Sequence, residues 1–459
     1  MLDQNKAESI FKTIQKFASA PEVEVIFSST NYSLTRFANN TIHQNVSELN
    51  EVASIRVAFE GRTARATTNR FDHESLKRAV QSAESIAKVQ ESDPDRLPMA
   101  KAKEAQGAMA PSRWFEQTAR ISPAERAQAV GKIVGIAKKH GLTTAGIYSS
   151  SDAAEAIFNS NGLNAFHHQT AAEVSITMLA EDSSGWQKAN SPNVSNLDPA
   201  HLAEIAAQKA RNSRNPQELA PGKYTVVLEP AAVLDLVGFM FWDFGGLAIL
   251  DQRSFLNNRI GTKLFGENIT IMDDVAHPLQ TGAPFDGEGV RRQKVGLVEN
   301  GVIKNLVYAR NTAAKMRQSE YAGKVGAIAP TGHGFPLPNE IGEAPTNIVF
   351  LTPGNEQTVE QMISGTERGV LITRLWYIRE VDPYEKILTG MTRDGTFLIE
   401  GGKAGQGIRN FRFNQSLIEL LNSVEAMSHA VRSSGEEAFD MVVPAMKVRD
   451  FNFTEVTKF

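Results

Sequence analysis

The chain has 459 residues and 41% hydrophobic content, more than one ordinary core holds, so two or three domains are expected. Its formal net charge is −4 with both signs interspersed, and the most basic stretch is only Arg291-Arg292-Gln293-Lys294, which argues against a nucleic-acid partner. Cysteine is absent, which excludes disulfides, thiol nucleophiles and thiolate zinc ligands.

The first residues carry neither a basic n-region nor an apolar h-region, so no signal peptide is expected. No apolar run reaches the roughly 18 residues of a membrane span. The longest candidate, 231–250, is interrupted by Asp235, Asp243 and Gly245-Gly246. A cytoplasmic protein without a membrane partner is the expectation.

Residues 1–90 read as an N-terminal α/β domain. Ile10, Phe11, Ile14 and Phe17 recur at helical spacing, and Val23, Val25 and Phe27 then alternate as in a strand with one buried face. Ile26 breaks that alternation and predicts a strand covered on both faces. Strands follow at about 32–38, 41–46, 51–59 and 62–68, the last two turning at Glu60-Gly61, and a helix spans about 73–90.

Residues 91–121, with Pro94, Pro98, Pro111 and the small-residue stretch Ala105 to Ala110, read as a linker or irregular excursion. Residues 122–215 read as a central α/β domain. Its first helix has an N-cap at Ser122, Pro123 at the first position, Glu125 completing a capping box, and Gly141 placed for the C-cap. Strands are expected at about 143–150, 153–159, 163–169 and 171–180, then a capped helix from Asp198-Pro199 to near Arg211.

Residues 222–459 read as a large β-rich C-terminal domain, so the fold class is α+β. It opens with a strand at Tyr224–Leu228 and a helix from Pro230. Two hairpins, turning at Asn300-Gly301 and Gly401-Gly402, suit type I′ geometry and suggest a quasi-symmetric body.

The search for chemistry yields no catalytic constellation. None of the nine histidines forms the helical pair of a zinc peptidase. His167-His168 on a strand face opposite ways. His277 beside Asp273-Asp274 reads as a turn or as part of a carboxylate–histidine metal site. His333, flanked by glycines, reads as a plain loop or a ligand-approaching one. The run 401–407 lacks the phosphate-loop spacing, and no Gly-x-Ser-x-Gly elbow is present.

Several stretches together resemble the TldD/PmbA family, in particular its TldE/PmbA-like branch: Arg36–Val46, Ser54–Arg62, Ala66–Asn69, Tyr224–Leu236, Ile372–Pro383, Leu388–Glu400 and Asn410–Ser416. The resemblance implies a mixed α/β N-terminal part, a β-rich C-terminal domain, and dimers enclosing a cavity. It also implies that catalytic TldD-like members carry His-Glu-x-x-x-His on a helix, with a distant cysteine as a further zinc ligand. The corresponding helix falls within 230–250 here and has no histidine. No catalytic residue and no metal ligand is therefore carried over, and no cofactor is expected in this chain. The branch implies a non-catalytic subunit that partners a zinc-bearing TldD-like paralogue, or forms a homodimer, and meets an extended peptide. The candidate peptide-binding residues are Tyr377, Arg379, Arg393, Asp394 and His333, with a hairpin-holding pair as the alternative for Arg393-Asp394. A self-contained peptidase with a rearranged site at His277 or His333, and a peptide-binding scaffold, are the competing readings.

Overall fold

The computed structural model describes residues 1–106 and 111–457; part of the small-residue stretch Ala105 to Ala110 lies outside them. The first half is built on one six-stranded sheet rather than two separate ones. Its strands are Glu22–Ala38, Thr41–Phe59, Arg62–Thr68, Thr143–Asn159, Asn164–Leu179 and Ser184–Ser191. Glu22–Ala38 pairs antiparallel with both Thr41–Phe59 and Thr143–Asn159, which joins the two regions along the full length of a strand. Each region is a helix, three strands and a helix, so the sheet is two such units meeting at their first strands.

The expected pairs 32–38 with its predecessor, 41–46 with 51–59, 143–150 with 153–159, and 163–169 with 171–180 are each one long strand. Polar residues in mid-strand suggested breaks, but backbone pairing with neighbours on the sheet carries each strand through them. Ser184–Ser191 was not anticipated; Gly185 and the polar residues 187, 188 and 190 hide it.

All four long helices lie on one face. Gln4–Phe17 and His73–Val89 cover Val25, Phe27, Ile55 and Phe158; Pro123–Lys139 and Pro199–Asn212 cover Val174, Ile176 and Met178. Local signals behave as expected. Ser122 accepts from Glu125 N–H while the Glu125 carboxylate accepts from Ser122 N–H, and Gly141 takes φ 66°.

The other face of the sheet turns toward the C-terminal domain and is polar. Glu24, Arg56 and Arg65 stand side by side on neighbouring strands, because their register makes them direct partners. Arg56 holds Glu24 through two bonds, Nε–Oε1 3.0 Å and Nη2–Oε2 2.7 Å. Arg65 reaches Glu24 Oε1 at 2.7 Å and the Leu337 carbonyl of the C-terminal domain at 2.6 Å.

The C-terminal domain contains a six-stranded and a nine-stranded sheet, with one apolar core drawn from both. The strand Gly222–Leu228 leads into helix Pro230–Val237, a tight 3₁₀ segment Gly238–Phe244 and helix Gly246–Leu250. Both expected hairpins form, with positive φ at Asn300, Gly301, Gly401 and Gly402. Each closes one end of a different sheet. The α+β class with a β-rich C-terminal domain is borne out. Among the described residues, no helix is long and apolar enough to cross a membrane.

Candidate functional site

The two halves of the molecule do not close flush. Three hollows, each sharing walls with the next, run across the C-terminal domain, and the third opens against the N-terminal sheet. The first, of about 710 Å³, lies beside Trp242, Glu437 and Phe439. Trp242 and Phe439 also bound the second, of about 420 Å³, which shares Arg292, Ala344 and Thr346 with a third. The third, of about 310 Å³, is walled by Ile26, Glu155 and Ile157 of the N-terminal sheet and by Phe285 and Phe335 opposite. The wall position of Ile26 explains why it broke the strand alternation.

The segment 230–250 supplies the floor of this groove. Leu234, Val237, Phe241 and Phe244, at spacings of three and four, are fully buried in the core. Trp242 is the exception at 49% exposure; its ring stacks on Phe335 with centroids 5.9 Å apart. The segment's carboxylates are engaged. Asp235 Oδ1 accepts the N–H groups of Glu436 and Glu437 at 3.1 and 3.0 Å, and burial pushes its carboxyl up to about 7. Asp243 Oδ2 pairs with Lys386 at 2.6 Å and its Oδ1 accepts from Phe255 N–H. With no imidazole or thiolate, and its two carboxylates buried apart from each other on different partners, this segment does not fit a zinc ion.

His333 is buried, with Nε2 2.9 Å from Asp273 Oδ1 and Nδ1 3.0 Å from Thr331 Oγ1. The expected plain surface loop is thus corrected: the glycines on either side let the loop fold inward, where Gly332 lies against the backbone of Arg291. The His333–Asp273 contact is short but poorly aligned for a directed hydrogen bond. Burial drives the ring toward its neutral form, so lasting compensation for Asp273 comes from elsewhere. The N–H groups of Thr346 and Asn347 donate to its Oδ2 at 2.8 and 2.7 Å, and Arg292 stands 4.0 Å away. His277 sits in a turn, its Nδ1 accepting from Leu279 N–H at 3.3 Å. Among the described residues, no group of three or more His, Asp or Glu side chains is arranged to hold a metal.

The remaining sequence-predicted residues fall in two places. Tyr377 and Arg379 lie on Leu375–Asp382, the terminal strand of the nine-stranded sheet. An extra residue bulges this strand opposite Thr389–Met391, and Tyr377 adopts φ 55° within the bulge. Its ring turns outward under the Arg379 guanidinium, 4.4 Å from its centroid, while its N–H donates to Glu437 at the first hollow. Arg393 is half-exposed over Trp376. Asp394 is buried, bonded to Arg374 Nη1 and Ser184 Oγ at 2.6 Å each. Ser184 belongs to the N-terminal sheet, so Asp394 ties the two halves together, beyond holding its own hairpin. The Arg374 guanidinium it fixes lies between Trp186 and Trp376.

Two features of the groove escaped sequence reading. Glu155 and Asp286 are ordinary surface letters until the sheet and the C-terminal loops face each other. Asp286, partly buried at the edge of the third hollow, accepts N–H groups from Gly334, Glu288 and Val290, and its pKa is raised by desolvation and by its neighbour Glu288.

Comparisons with known proteins agree with this architecture. Three family models match in order: PmbA/TldA metallopeptidase domain 1 over residues 23–87, the central domain over 76–214, and the C-terminal domain over 221–455. Metalloprotease PmbA of Escherichia coli O157:H7 is 20% identical, covering 86% of this chain and 84% of its own. An uncharacterized protein of Methanocaldococcus jannaschii is 32% identical over 33% of this chain and 36% of its own length. The solved structure of TldE from Thermococcus kodakarensis superposes with a TM-score of 0.84 at 21% identity, covering 98% of this chain and all of that one.

Proposed function

The chain belongs to the PmbA/TldA metallopeptidase family, and from that premise we propose that it is a non-catalytic, TldE/PmbA-like subunit of a two-chain metallopeptidase. In this reading its groove receives unfolded or precursor peptides in extended form, and a TldD-like paralogue in the cytoplasm supplies the zinc. One observation carries the proposal. The segment 230–250, where the family resemblance expects a metal-binding helix in catalytic members, presents the ring of Trp242 to the groove and keeps its carboxylates buried, Asp235 on backbone N–H groups and Asp243 on Lys386. A half-exposed indole between apolar and polar walls offers a peptide contact area at low entropic cost. The exposed edge strand Leu375–Asp382 suits main-chain pairing with such a peptide, with Tyr377 and Arg379 beside it.

The test has two parts. Purified without chelator and then offered zinc, the chain alone is expected to retain well below about one equivalent. Mixed with a TldD-like paralogue, it is expected to yield peptidase activity that neither chain shows alone. About one tightly held zinc per chain, or hydrolysis by this chain alone, overturns the proposal.

A further inference from the structure

The third hollow has a chemistry of its own. On the sheet side, Glu155 projects from Thr143–Asn159 into the recess. Its side chain is open to solvent across the hollow, yet protein surrounds it on most sides, and that desolvation raises its pKa against the pull of Arg292. Among the described residues no hydrogen bond or ion pair is formed by its carboxylate; the charge acting on it is the Arg292 guanidinium, which is itself bonded to Thr346 Oγ1 at 2.6 Å and shared with Asp273. A carboxylate that faces an open recess and has no protein donor is free to pair with a cation that enters it. Asp286 on the opposite wall adds no positive charge, and burial lowers the pKa of His333. The recess therefore favours a cation over an anion.

The recess is also an end. Beyond it Ile26 and Phe285 pack with Ala100, Ile157, Leu163 and Val290 into a closed apolar cluster. A chain laid along the groove past Trp242 and Arg292 has no exit there and must terminate. We propose that this recess captures the free amino terminus of the peptide, with the α-ammonium on Glu155 and the first side chain against Ile26, Ile157, Phe285 and Phe335. A volume of about 310 Å³ holds one or two residues and no more. The inference rests on the reading of the groove as a peptide channel and specifies which end of the peptide enters it.

The experiment uses the full chain and two synthetic six-residue peptides, leucine first, lysine-free and amidated at the carboxyl end. One has a free amino terminus and the other is N-acetylated; binding is followed by calorimetry. The free peptide is expected to bind about tenfold more tightly, as one charge-assisted bond provides. Glu155→Gln, which keeps shape and removes charge, is expected to erase that difference, whereas Trp242→Ala weakens both peptides equally and leaves the ratio unchanged. Equal affinities for the two peptides in the unaltered protein, or a ratio that survives Glu155→Gln, overturn amino-terminal capture. If Trp242→Ala still weakens both in that case, the groove reading stands without it. Binding of neither peptide overturns both.

Discussion

Two regions of the molecule solve burial in opposite ways. On the N-terminal sheet it is done with charge: Glu24 and Arg56 are buried side by side, and the partly exposed Arg65 beside them crosses to the Leu337 carbonyl. In the C-terminal domain the segment 230–250 is built from Leu234, Val237, Phe241 and Phe244, and its buried carboxylates have separate partners. The first region specifies geometry, since a guanidinium fork accepts its carboxylate in one plane only. The second supplies cohesion and tolerates no further polar group.

Breaking the charged region is expected to have the largest effect. Glu24→Ala leaves the buried Arg56 guanidinium, and Arg65 beside it, without their shared anion and is expected to cost about 3–5 kcal/mol in urea unfolding. A loss below about 1 kcal/mol would mean that the row is solvated, and the contrast between the regions would fall.

The apolar region is probed by pH. Burial raises the Asp235 carboxyl from 3.8 to about 7. A carboxyl raised in the folded state contributes its stability fully below the unfolded value and loses it as pH climbs through the folded one. Relative to Asp235→Asn, the parent protein is therefore expected to be equally stable near pH 4 and less stable at pH 8, by roughly 2–4 kcal/mol. The asparagine retains an oxygen for the Glu436 and Glu437 N–H groups. Parallel melting curves for the two proteins across that range would show that Asp235 ionises freely and that this region is not dry.

The contrast also explains what was legible beforehand. The capping box at Ser122–Glu125 and the turns at Glu60-Gly61, Asn300-Gly301 and Gly401-Gly402 are local events, and local chemistry decides them. The charged row could not be read, because Glu24, Arg56 and Arg65 look solvent-facing in any single strand and are covered only when a second domain packs on the sheet. The same holds for His333, whose partner Asp273 lies on another strand, and for Asp394, whose partner Ser184 lies in a strand that was not foreseen. The fold class and the apolar floor were readable; the polar contacts depended on tertiary pairing.

Tyr377 offers the smallest and sharpest probe, beside the first hollow where its N–H donates to Glu437. It holds φ 55°, a left-handed conformation that costs a residue with a Cβ about 1–2 kcal/mol, while its ring is 53% exposed and contributes little burial. Glycine adopts that φ freely, so Tyr377→Gly is expected to leave thermal stability unchanged within about 1 kcal/mol or to raise it slightly. The backbone N–H that donates to Glu437 survives the substitution. If the ring is there to meet a peptide, the same variant loses affinity for both the free and the acetylated peptide, with their ratio preserved. Strain kept at an exposed aromatic without a folding benefit is the signature of a residue positioned for contact. A variant that melts much earlier and binds as before would instead assign Tyr377 to the architecture of the bulge.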